Sequence, residues 1–64
     1  MPAQVAFALD RLGWIAEETG RPDEALALYQ RALHELGDGP AAAEPARLVR
    51  ARIAALAATG GGAR

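Results

Sequence analysis

The sequence predicts an all-α fold, three helices built on one antiparallel helical hairpin, and three observations predict it. The 64-residue chain is dominated by Ala, Leu, Arg and Glu, all strong helix formers. Its apolar residues recur at the 3.6-residue period of an amphipathic helix. Glycine and proline interrupt that period at two places, Gly20-Arg21-Pro22 and Gly37-Asp38-Gly39-Pro40, where chain reversals belong.

The first helix is predicted over residues 3–19. Pro2 suits the first turn, where its missing N–H costs nothing. Val5, Leu9, Leu12 and Ala16 follow the helical period and are expected to form one buried stripe. Gly20 ends the helix in the left-handed conformation. The second helix, residues 22–36, opens on Pro22. Asp23 and Glu24 follow in its first turn, where the helix dipole favours negative charge. Ala25, Leu28, Tyr29, Ala32, Leu33 and Leu36 form its apolar stripe, and Gly37 closes it. So short a connection forces the two helices to lie antiparallel. A third helix is predicted over 44–59, because Pro45 is tolerated only in a first turn. Leu48, Val49, Ile53 and Leu56 are its apolar positions. Residues 60–64, beginning Gly60-Gly61-Gly62, read as a flexible tail.

One domain, over residues 1–59, is all this length allows. A chain of this size buries only about 60% of its unfolded surface, so the core is thin. Small folds compensate with disulfides, a metal or oligomerisation. There is no cysteine, and His34 is the single histidine, which leaves no zinc set. Self-association or docking on a partner remains. The net charge of −1 points to neither nucleic acid nor membrane, but it is unevenly spread. Residues 1–44 carry −5 and residues 45–64 carry +4, an acidic hairpin followed by a basic helix. No apolar run reaches the roughly 18 residues of a membrane span, and the N-terminus has no secretory pattern. The expected location is cytoplasmic.

Chemistry finds little to work with. Glu17 and Glu18 are adjacent on a helix and diverge by about 100°, so they do not converge on one bond. His34 has no serine or cysteine to activate, and the chain contains no serine at all. Gly60-Gly61-Gly62 lacks the strand and helix of a phosphate loop. Neither an enzyme nor a cofactor or metal site is expected. Arg47, Arg50 and Arg52 suggest an alternative, a nucleic-acid-associated regulatory fragment. Arg52 points about 140° away from Arg47, however, and no aromatic residues are interleaved.

The segment from Ala6 to Gly37 resembles one tetratricopeptide repeat. Leu12-Gly13, Ala16, Gly20, Ala25, Tyr29 and Ala32 carry the resemblance, together with the wording Asp23-Glu24-Ala25 and Gln30-Arg31-Ala32-Leu33. Leu9 stands where the family often has Trp, and Gly37 where it has a closing Pro. Close packing explains the pattern: Gly13 and Ala16 admit Ala25 and Ala32, while Tyr29 and Leu12 are expected to fill the space left. The third helix echoes the first 41 residues on, Ile53-Ala54 and Ala57 answering Leu12-Gly13 and Ala16. It resembles half of a second repeat, or a capping helix. About three repeats are normally needed for stability, so a chain of one and a half is expected to be unusually well packed, to be part of a longer array, or, the favoured reading, to complete itself by pairing with another copy.

The resemblance also implies a function: a non-enzymatic protein–protein interaction module presenting a helical groove, with Phe7, Asp10, Trp14, Glu17 and Glu18 facing that groove. Phe7 and Trp14 share one side of the first helix, off the apolar stripe, and are read either as a contact surface or as core covered by the third helix. Some family members clamp a C-terminal carboxylate on this face. Asp10 and Trp14 occupy two of the clamp positions here and no Lys exists, which disfavours an acidic tail as ligand. A protein or peptide partner with a basic or apolar helix fits better. The chain's own third helix, or that of a second copy in a homodimer, is such a helix.

Overall fold

The computed structural model describes the backbone of residues 2–62 and the side chains of residues 4–58. Among these residues it contains α1 (Pro2–Glu18), α2 (Pro22–Leu36), a single 3-10 turn (Pro40–Ala42) and α3 (Ala43–Gly62), with no strand. α2 lies between the other two helices and packs against both. No helix among the described residues is long and apolar enough to cross a membrane.

The first reversal is closed by backbone bonds. Gly20 adopts φ 75°, which lets its own N–H reach Glu17 O at 3.1 Å and the Arg21 N–H reach Ala16 O at 2.8 Å. This pair of reversed bonds satisfies carbonyls that the end of α1 would otherwise leave open. The Thr19 hydroxyl adds bonds to Ile15 O at 2.9 Å and Ala16 O at 3.2 Å. Gly37 closes α2, also at a positive φ (74°), its N–H donating to Leu33 O.

α3 differs from the sequence reading at both ends. It begins at Ala43, directly from the 3-10 turn, so Pro45 still falls in its first turn. It continues to Gly62, past the stop expected at 59 and into the stretch read as tail. Glycine weakens a helix by about 1 kcal/mol per residue relative to alanine but does not forbid it. Ala63 and Arg64 lie outside the described residues.

The core unites Ala6, Leu9 and Ala16 of α1, Ala25, Tyr29 and Ala32 of α2, and Val49 of α3. Leu28, Leu33, Leu36, Ile53 and Leu56 pack against it half-buried. Two expectations are corrected here. The stripe of α1 that meets α2 is Ala6, Leu9, Gly13 and Ala16, while Val5 and Leu12 are 42% and 50% exposed. Leu12 therefore does not help Tyr29 fill the hairpin. On α3, Leu48 is exposed and Ala46 is buried in its stead. The reason is the same in both helices. Small residues allow the closest approach, so the alanine and glycine positions turn toward the partner and the bulkier neighbours are rotated to the flank.

Gly13 shows how tight that approach is. A Cβ at this position would lie 2.5 Å from Tyr29 Cε1, 2.8 Å from Cδ1 and 2.9 Å from Cζ. The tyrosine ring, fully buried, rests on bare backbone.

Candidate partner-binding groove

α1 and α3 flank α2 and leave a groove of about 440 Å³ between them. Ala6, Phe7 and Asp10 line it from α1, Pro45, Leu48 and Arg52 from α3, and Leu36 of α2 also lines it. Phe7 and Trp14 lie on the same side of α1 because seven residues make nearly two helical turns. They are 66% and 50% exposed, so α3 does not cover them within one chain. Together with Asp10, Arg11 and Arg52 they border an adjoining depression.

An ion pair joins the two walls. Arg52 Nε lies 3.2 Å from Asp10 Oδ1. Oδ1 is buried and the arginine N–H is not aligned to hydrogen-bond it, so the carboxylate is neutralised by charge more than by a directed bond. A pair that is partly open to solvent is worth about 1 kcal/mol or less. The acid–base asymmetry of the sequence thus appears, among the described residues, in this contact between the hairpin and α3. Arg47 turns instead to Glu44 of its own helix, reaching both carboxylate oxygens at 3.0 Å.

Glu17 has a different task. Its carboxylate accepts a hydrogen bond from the Tyr29 hydroxyl, the tether that holds the ring against Gly13. The phenol is pushed up to about 12, first by burial, then by its bond to Glu17 and by that negative charge. Asp10 adds to the rise and Arg52 opposes it. Glu17 is half-buried and committed to the hairpin, whereas Glu18 is exposed. The two neighbouring acids therefore face different environments.

Of the residues the sequence places on the groove, the structure brings Phe7, Asp10 and Trp14 together. Sequence reasoning missed Leu48, Pro45 and Arg52 as the opposite wall. The available signal was the −5/+4 division of charge, which pointed to contact between hairpin and third helix without saying which arginine makes it. His34 is exposed on α2, and no group of three His, Cys, Asp or Glu able to hold a metal exists among the described residues.

The family model for the tetratricopeptide repeat matches residues 6–38, just over half the chain. No curated protein and no solved structure matches it. The matched span runs from the buried Ala6 of α1 through the turn after α2, which is the hairpin closed by Gly20 and packed through Gly13 and Tyr29. The chain belongs to the tetratricopeptide repeat family, whose repeats are protein–protein interaction modules.

Proposed function

We propose that this chain is a non-enzymatic interaction module whose working surface is the α1/α3 groove, and that it associates with copies of itself. The observation that carries this is the pair of large aromatics, Phe7 and Trp14, left outside the core beside the groove. Aromatic side chains supply much of the energy at protein interfaces, and exposing two on one side of a single helix is costly without a partner. Phe7, Trp14 and Leu48 suit a partner helix with an apolar face. In the homodimer, Phe7, Trp14 and the exposed Leu48 of α3 are the groups to be buried.

Light scattering across a concentration series tests self-association: mass should rise with concentration, and a strict monomer throughout would sink the homodimer. Trp14→Ala should weaken self-association or partner binding more than it lowers helix content. If melting collapses while association is unchanged, Trp14 serves the fold and not the surface.

A further inference from the structure

α1 carries a second unpartnered face, distinct from the groove aromatics: Val5, Ala8, Leu12 and Ile15, all exposed. Shifted by 41 residues, these positions are Ala46, Val49, Ile53 and Leu56, the face by which α3 packs into the core. The two faces contain the same four residue types, one of each, so an exchange between them conserves volume. Volume-conserving swaps are the ones a packed site tolerates best.

The charges correspond as well. Arg11 of α1 is the counterpart of Arg52, the residue that faces Asp10 across the groove. Phe7 is the counterpart of Leu48, which lines the opposite wall. The side of α1 that meets its own α2 is a different one, Ala6, Leu9, Gly13 and Ala16. Its counterparts on α3, Arg47, Arg50, Ala54 and Ala57, are all exposed. α1 thus has one face engaged in its own hairpin and a second face shaped like the docked face of α3.

From this we infer that α3 is an internal stand-in for α1 of a second copy. When α3 leaves α2, the Val5/Ala8/Leu12/Ile15 face of another molecule takes its place, Arg11 of the incoming copy meets Asp10, and the groove is rebuilt with Phe7 where Leu48 stood. The contact joins two different surfaces, so it is head-to-tail and propagates unless α3 closes the end. α3 holds the closed form because it is covalently attached, which gives it the effective concentration of an intramolecular ligand. The inference rests on the reading that copies associate, and it adds to the groove contact a second one, made through the Val5/Ala8/Leu12/Ile15 face.

Sedimentation velocity on the full chain tests it. Val49→Ala/Ile53→Ala thins the α3 face and keeps helix-forming residues. The weight-average mass should rise at least about twofold over the parent chain and continue to rise with concentration. Adding Leu12→Glu should return it to the parent value. Unchanged mass with helix content retained overturns the inference, as does a rise that Leu12→Glu leaves in place. If the two alanines unfold the chain, cross-linking decides. The chain has no cysteine, so Asp10→Cys and Arg11→Cys variants with α3 intact can be mixed and treated with a bis-maleimide as short as an arginine side chain. The mixed product should exceed its random share and lose that excess when both carry Leu12→Glu; a random share overturns the inference. Trp14→Ala separates the two readings. It should leave the rise of the alanine double variant intact, and a rise abolished by Trp14→Ala belongs to the groove homodimer and overturns the exchange.

Discussion

Replacing Gly13 with alanine sets two effects of opposite sign against each other. In an exposed helix the change gains about 1 kcal/mol, because glycine loses more backbone entropy and packs nothing. Here the new methyl would meet three atoms of the Tyr29 ring at 2.5–2.9 Å, against about 3.5–4.0 Å for comfortable carbon contact. Something must move by roughly 1 Å. The ring has no free side to move into, being fully buried and tethered to Glu17. Either the helices separate, loosening Ala16, Ala25 and Ala32, or the ring leaves its rotamer. Overpacking of this kind costs about 1–3 kcal/mol, and a rigid ring buried directly opposite places this site at or above the upper end. The net expectation is a loss of about 2 kcal/mol, or roughly 8–16 °C in melting temperature for a domain this small. Thermal unfolding followed by circular dichroism measures it. The double variant Gly13→Ala/Tyr29→Leu should show a strongly favourable coupling, since a branched aliphatic chain vacates the space the methyl needs. A Gly13→Ala chain that melts at or above the parent temperature would refute the argument, showing that helix propensity outweighs the contact.

The raised phenol of Tyr29 makes stability depend on pH in the alkaline range. The folded chain favours the neutral phenol, so this contribution is complete below the unfolded value of 10 and is lost as pH rises through about 12. The full effect is roughly 2–3 kcal/mol. Denaturant melts at rising pH should show the parent losing stability across that interval, while Tyr29→Phe, already weaker at neutral pH by about 1–2 kcal/mol for the lost bond to Glu17, should not show this loss. A parallel decline in both chains would point to another group. Arg52→Ala should change stability by no more than about 1 kcal/mol, because the Asp10 pair is partly solvated. A loss several times larger in the same melts would mean that the pair orients α3 and does more than accompany it. Leu12→Glu, at an exposed site, should leave the stability within about 0.5 kcal/mol of the parent in denaturant melts, and a core-sized loss would restore Leu12 to the hairpin.

Much of the architecture was legible from local rules. Pro22, the acids that follow it and Gly37 delimit α2 at the residues observed, because proline, helix dipole and a positive-φ glycine act within a turn or two of chain. The boundary of α3 was less legible. Three glycines weaken a helix without ending it, and the 3-10 turn at Pro40–Ala42 feeds α3 one residue early. On the candidate groove, hydrophobic patterning isolated Phe7 and Trp14 from the stripe but said nothing of what stands opposite. The wall formed by Leu48 and Arg52 depends on how α3 is rotated about its own axis.

The sequence by itself determined that there are three helices, where the first two reverse, and that they pack through small residues around Tyr29. These follow from backbone propensity and from spacing along one chain. Only the tertiary structure decided which edge of each apolar stripe goes inward. A helix with a broad apolar surface can rotate by tens of degrees and still satisfy its periodicity. The choice was made by closeness of approach: Gly13 under the tyrosine ring and Ala46 on α3 turn to α2, which leaves Leu12 and Leu48 outside. The exposed bulky residues Leu12 and Leu48 are those that the small ones displaced.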